Sequence, residues 1–205
     1  MYKTLTISRE FGSGGGAVAR FIAEKLEWNL LDRELVLQIA QAAKVHPSLA
    51  EEFDEKKTTW TQRLGRGLMW ASIFDVGAVA ADESVFDAEK EAEVAAKLIR
   101  RAHEQGNCVV VGRGGQCVLQ DSPDAFHAFV YAPWQERLER ARKRAPDGEH
   151  IERWVARRER EREDLIRDQF ECERLDPHLY HLMVSSTIGV EATAAVILTA
   201  MGANV

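Results

Sequence analysis

The sequence predicts an α/β fold, a parallel central sheet with helices on both sides, and three observations carry that expectation. Short apolar or alternating runs at 3–8, 28–31, 107–112, 125–131 and 179–185 are separated by stretches of helical periodicity, the pattern of successive βα units. After Asn107, the run Cys108-Val109-Val110-Val111 is continuously apolar and mostly β-branched, as in a strand buried on both faces of a parallel sheet. Two glycine clusters follow directly on such runs, where the chain must turn sharply into a helix. A chain of 205 residues has room for one core without disulfides or a structural metal.

Residues 3–8 alternate, with Leu5 and Ile7 to one side, and run through Arg9-Glu10-Phe11 into Gly12-Ser13-Gly14-Gly15-Gly16. Val18, Phe21, Ile22 and Leu26 then recur at helical spacing, so this opening reads as strand, glycine loop, helix. Such a loop can wrap backbone N–H groups around a phosphate while the helix N-terminus supplies partial positive charge; a flexible turn is the plainer alternative. A second strand at 28–31 stops at Asp32-Arg33, and Leu35, Val36, Ile39 and Ala40 mark another helix. Asp32 is placed either to cap that helix or to meet a ligand at the carboxyl edge of the sheet, and the two roles are compatible.

Residues 45–81 read as a helical insertion, acidic in its first part and apolar from 59 on (Trp60, Leu64, Leu68, Met69, Trp70, Ile73, Phe74), fit for core or for a partner surface. A long helical pattern follows over 83–105 and is closed by Gly106. After the buried run comes Gly112-Arg113-Gly114-Gly115, an arginine flanked by glycines at a strand end, suited to clamp a phosphate or equally to form a surface ion pair. The strand at 125–131 leads through Pro133 into an arginine-bearing helix. Across 133–174 there are 11 Arg and 1 Lys against 12 acidic residues, a balance typical of solvated helices. Within it Arg160, Asp164 and Arg167, at i, i+4 and i+7, share one helical face. A strand at 179–185 and a helix at 190–200 close the chain.

The net charge of −6 argues against a general nucleic-acid binder. Yet 19 of the 27 cations are arginine, the residue that grips phosphate with a planar fork. Three cysteines without CxxC spacing predict neither a disulfide framework nor zinc, and the histidines have no paired-ligand spacing. The start lacks a signal peptide's apolar stretch, and no run is long enough to span a bilayer, so a cytoplasmic protein without membrane partners is expected.

Four segments in this order resemble the cytidylate kinase-like family of P-loop nucleoside monophosphate kinases. Ile7-Ser8-Arg9-Glu10-Phe11-Gly12-Ser13-Gly14-Gly15 is similar to the family's "SREFGSGG" opening, and Leu30-Leu31-Asp32-Arg33-Glu34-Leu35 to the stretch after its second strand. Val110-Val111-Gly112-Arg113-Gly114 resembles the Gly-Arg segment, and Arg160-Glu161-x-x-Asp164-x-x-Arg167 the lid pattern. The resemblance spans residue 3 to about 200. It implies a three-layer P-loop fold, one kinase-like domain over 1–205 with a helical acceptor-side insertion at 45–81 and a helical lid at 146–174. It further implies ATP phosphates on Gly12, Ser13, Gly14, Gly15 and Gly16, Mg²⁺ as cofactor, and a nucleoside monophosphate, CMP or dCMP by family, near Asp32, Arg33 and Arg113. Arg160 and Arg167 would close over the phosphates, with Asp164 orienting them or contacting magnesium through water. Assembly into a homo-oligomer is left open.

The chain departs from the pattern of ordinary cytidylate kinases in places that matter. Gly15 stands where the P-loop lysine is expected, Gly16-Ala17 where its hydroxyl follows, and Gly114 where an Asp follows Gly-Arg. Arg9, the nearest cation, is expected to take over part of the lysine's charge, with a catalytic role beside the lid arginines. The alternative is a degenerate P-loop domain that binds nucleotide in a regulatory role without turnover.

Overall fold

The structure is a computed structural model that describes residues 2–32 and 88–203. Arg33, the helix after it, the 45–81 insertion and residues 83–87 of the long helical pattern lie outside the described residues.

Five strands form one parallel sheet: β1 (Thr4–Arg9), β2 (Asn29–Leu31), β3 (Cys108–Val111), β4 (Ala125–Tyr131) and β5 (Leu182–Ser185), in the spatial order β2-β3-β1-β4-β5. β1 is central, pairing Thr4 with Cys108 on one side and with Ala125 on the other. The helices are α1 (Gly15–Lys25), α2 (Ala88–Gln105), the single turn α3 (Gly115–Val118), α4 (Trp134–Arg142), α5 (Ile151–Phe170) and α6 (Val190–Ala200).

The β-branched run of β3 sorts its side chains to two cores, as a strand covered on both faces must. Val109 and Val111 join Leu5, Ile7 and Val130 under α1 (Val18, Ile22) and α6 (Ile197, Leu198). Cys108 and Val110 face the other way, under α2 (Ala95, Leu98, Ile99, Ala102). A third cluster, Leu138 and Ala141 against Trp154 and Val155, fastens α4 to α5. The polar residues of β1 are buried too and are matched along that second face. The Thr4 hydroxyl meets His103 Nδ1 at 2.9 Å, that of Thr6 meets His127 Nδ1 at 2.7 Å, and Ser8 donates to Gln116 Oε1 at 2.7 Å.

One boundary differs from the sequence expectation. The strand expected from 179 begins at Leu182, because Pro177–Leu179 closes into a 3₁₀ turn capped by the Asp176 carboxylate, which accepts from the His178 N–H at 2.9 Å. No helix among the described residues is long and apolar enough to cross a membrane.

Because all strands are parallel, the carboxyl ends of β1 and β3 lie side by side and release Arg9 and Gly112-Arg113 at the same edge of the sheet, where open α/β folds bind ligands.

Candidate active site

The loop between β1 and α1 is held by side chains from outside it. Glu10 accepts from the Ala132 N–H at 3.0 Å and pairs with Arg137 Nη1 at 3.0 Å. Arg137, only 7% exposed, also donates through Nε to the Phe11 carbonyl at 2.9 Å. The Phe11 N–H donates to Glu159 of α5, and its ring meets Trp154 edge-on at 4.8 Å. The Ser13 carbonyl accepts from Arg140 Nη1 at 2.9 Å and from the Ser186 hydroxyl. Gly14 caps α1 at φ 83°, a left-handed conformation that glycine adopts without penalty. The N-terminus of α1 thus opens from a fixed loop, its Gly15 N–H directed at the Ser13 hydroxyl at 3.4 Å and its Ala17 N–H donating to the Gly14 carbonyl at 2.9 Å.

Arg9 leaves the end of β1 through a slot made by two glycines. A Cβ placed on Gly15 would stand 2.7 Å from Arg9 Cβ, and one on Gly112 would stand 1.9 Å from Arg9 Nη1. The side chain therefore passes the first residue of α1 and ends beside the Gly112-Arg113 turn. Burial, together with the charges of Arg162 and Arg113, pushes the Arg9 guanidinium down to about 9, partly countered by Asp32. Arg162 is pushed down to about 10, again mainly by burial and against the favourable charge of Glu159. Both remain cations at neutral pH.

Four arginines converge here. Arg162 Nη1 and Arg174 Nη1 donate to the Arg9 carbonyl at 3.1 and 3.2 Å. Arg9, Arg113, Arg162 and Arg174 line one small pocket with Ser8, Gln116, Leu165 and Ile166. Arg174 is 5% exposed, binds Glu159 Oε2 at 2.6 Å, and is held in place by the Tyr180 hydroxyl, which donates to its carbonyl at 2.7 Å. Among the described residues Asp32 and Glu159 stand against the four cations, and Glu159 is shared with Arg137. The pocket is positive and partly dry, which suits a multiply charged anion held by forked donors.

The sequence-predicted residues divide. Arg9, Gly15, Asp32 and Arg113 come together at this pocket, and Gly12, Ser13 and Gly14 form the adjoining loop. Arg160, Asp164 and Arg167 do not join them. They lie on the exposed face of α5, where Arg167 pairs with Asp164 and with Asp168 at 3.2 Å and has a side chain 60% exposed. The inward face carries Val155, Glu159, Arg162 and Ile166, at helical spacing. At roughly 100° per residue, Arg160 and Arg167 are turned more than a third of a circle from Arg162. Arg162 and Arg174 were missed by the sequence reading. The signal for Arg162 was present: buried Val155 and Ile166 fix the inward side, and Arg162 lies one turn before Ile166.

A second cavity of about 270 Å³ lies on the other side of the loop, lined by Ser13, Gly14, Ala17, Arg140, Lys143 and Ser186 among others. The glycine loop thus stands between a roomy basic cavity and the arginine pocket. Among the described residues no three His, Cys, Asp or Glu side chains gather to hold a metal ion. Gly16 lacks a hydroxyl, and the Ser8 hydroxyl is bonded to Gln116. The described donors do not form a protein-held Mg²⁺ site.

A parallel sheet in this order with a glycine loop running from its central strand into a helix defines the P-loop kinase fold. A model of the cytidylate kinase-like family matches residues 4–188, and the chain belongs to that family. Solved structures agree on the fold. An uncharacterized protein from Eubacterium ventriosum is 19% identical with a TM-score of 0.68, over 98% of this chain and 99% of that one. A shikimate kinase from Bacteroides thetaiotaomicron is 10% identical with a TM-score of 0.54, over 97% and 98%. The shikimate kinase from Acinetobacter baumannii, solved in complex with shikimate, is 15% identical with a TM-score of 0.50, over 97% and 92%. A comparison with curated proteins finds no match.

Proposed function

We propose that the protein transfers the γ-phosphoryl group of ATP to a small phosphorylated acceptor, a nucleoside monophosphate, with CMP or dCMP the first expectation. The observation that carries this reading is the convergence of Arg9, Arg113, Arg162 and Arg174 on one pocket beside the glycine loop. In this reading the amides of Gly12–Gly16 and the N-terminus of α1 hold the ATP phosphates. Arg113 holds the acceptor's phosphate, beside Asp32 and, by family resemblance, Arg33. Arg9, Arg162 and Arg174 meet the transferring phosphoryl group.

Phosphoryl transfer asks for in-line positioning and for positive charge around the equatorial oxygens, and little other chemistry. Four guanidinia, that of Arg174 buried and those of Arg9, Arg113 and Arg162 half-buried, supply that charge before substrate arrives, so much of their reorganisation cost is met in folding. The acceptor oxygen of a monophosphate is already anionic near neutral pH, and the reading assigns no side chain as a strong base. When ATP is bound, its Mg²⁺ neutralises the β- and γ-phosphate oxygens.

A second reading has its own support: the loop lacks the lysine and the hydroxyl of a full P-loop, as a nucleotide-binding regulator without turnover would. An ADP-release assay with ATP, Mg²⁺ and each of CMP, dCMP, UMP, AMP and GMP separates them. The kinase reading expects release that depends on one acceptor class and falls roughly 10²-fold or more in Arg113→Ala. ATP binding without acceptor-dependent release would decide for the regulator.

A further inference from the structure

We infer that Arg9 and Gly15 have exchanged the two residue types that a P-loop ordinarily carries at these places, so that Arg9 is the loop's phosphate-binding cation. The inference rests on the nucleotide-binding reading above and names the residue that replaces the missing lysine.

In the pattern G-x-x-x-x-G-K-[ST] the first glycine and the lysine are six residues apart. Laid on this chain, with Gly14 as the second glycine, the first position is Arg9 and the lysine position is Gly15. The cation and the small residue are both present, each at the other's place. In the fold these two positions touch: a Cβ at 15 would stand 2.7 Å from Arg9 Cβ and 3.2 Å from Arg9 Cγ and Val130 Cβ. The near atom is the root of the Arg9 side chain, which cannot swing away as a side-chain end could. A lysine at 15 would therefore collide with Arg9 unless the backbone shifts. The choice of glycine at 15 is what lets the arginine stem pass.

The far end of the same side chain shows a second, independent accommodation. Gly112 has φ +71°, and a Cβ there would stand 1.9 Å from Arg9 Nη1 and 3.0 Å from Cζ. Glycines at both ends thus deliver one guanidinium from the end of β1 to the pocket of Arg113, Arg162 and Arg174. Among the described residues the charges acting on Arg9 are the cations Arg113, Arg162 and Arg174 and the carboxylate of Asp32. The surplus positive charge is what an entering phosphate would neutralise.

The test is ATP affinity by titration calorimetry for wild type, R9G, G15K and the double variant R9G/G15K, with melting temperatures beside them and wild-type ADP release from the same preparation. The exchange predicts that R9G weakens ATP binding at least tenfold by removing the cation. G15K weakens it, or fails to fold, through the collision with Arg9. The double variant binds or folds better than G15K alone and binds better than R9G alone, because the cation is restored on the other side of the contact. Unchanged affinity in R9G, or a double variant that binds ATP no better than R9G, overturns the exchange. Should wild type bind ATP without releasing ADP, the kinase reading fails while the affinities still decide the exchange. Should wild type turn over while R9G binds as tightly, the kinase reading stands and the exchange fails. No ATP binding by wild type overturns both.

Discussion

Arg137 shows how much a single residue carries in this site. It joins Glu10, the Phe11 carbonyl and Glu159, and so ties the glycine loop to α5 while being almost wholly buried. Removing one member of a buried ion network leaves the other charges without compensation, at a cost of about 3–5 kcal/mol. Arg137→Ala is accordingly expected to lower unfolding stability by about that much in urea titration, whereas a loss under about 1 kcal/mol would show the network to be solvated. At this scale the sequence was partly legible. Arg9, Asp32 and Arg113 stood out because each follows directly on an apolar run, and the end of a strand is an edge position whatever the rest of the fold does. Arg137 and Arg174 did not stand out, since nothing local distinguishes a buried arginine from its solvated neighbours in a stretch of balanced charge. Only the partners, Glu159 and the Arg9 carbonyl, far away in sequence, make that distinction.

At the scale of the element, α5 is the instructive case. Its length and helicity follow from the sequence, but the face it turns inward does not follow from the arginine spacing alone. Arg160, Asp164 and Arg167 form a stripe by periodicity, and the stripe faces solvent, because Trp154, Val155 and Ile166 bury the other side. Where charge pattern and apolar pattern compete, the apolar one decides, since a buried aromatic or aliphatic side chain is worth about 1.5–3 kcal/mol and an exposed ion pair less than about 1. The central strands make a different prediction. His127 on β4 is bonded to Thr6 of β1, and burial, helped by the charge of His181, pushes it down to about 4 from 6.5. Its folded form resists the proton that the unfolded form accepts near pH 6.5, so stability is complete above that pH and is lost as the pH falls from 6.5 toward 4. The loss expected is about 2–3 kcal/mol, and a His127→Gln variant should show a flatter profile in urea titrations at pH 7, 5.5 and 4.5. An equally steep fall in the variant would move the effect to other groups.

For the molecule as a whole, the sheet was the most legible feature. All five strands appear close to where apolar or alternating runs predicted them; β3, buried throughout, is continuously apolar, while β1 admits buried Thr4, Thr6 and Ser8 through their hydrogen bonds. The overall charge was less informative. A chain with net charge −6 concentrates four arginines at one strand edge, and composition averages such a concentration away. Glycines at 12, 15, 112 and 114 marked the site more reliably than charge, since the close approach of other residues leaves no room there for a Cβ. The most direct test of the account compares Arg162→Ala and Arg174→Ala with Arg160→Ala in acceptor-dependent ADP release from ATP. Loss of roughly 10²-fold or more in the first two, with Arg160→Ala within about threefold of wild type, is the predicted result. Full activity in Arg162→Ala and Arg174→Ala, with the loss falling on Arg160→Ala, would contradict it and place the chemistry on the opposite face of α5.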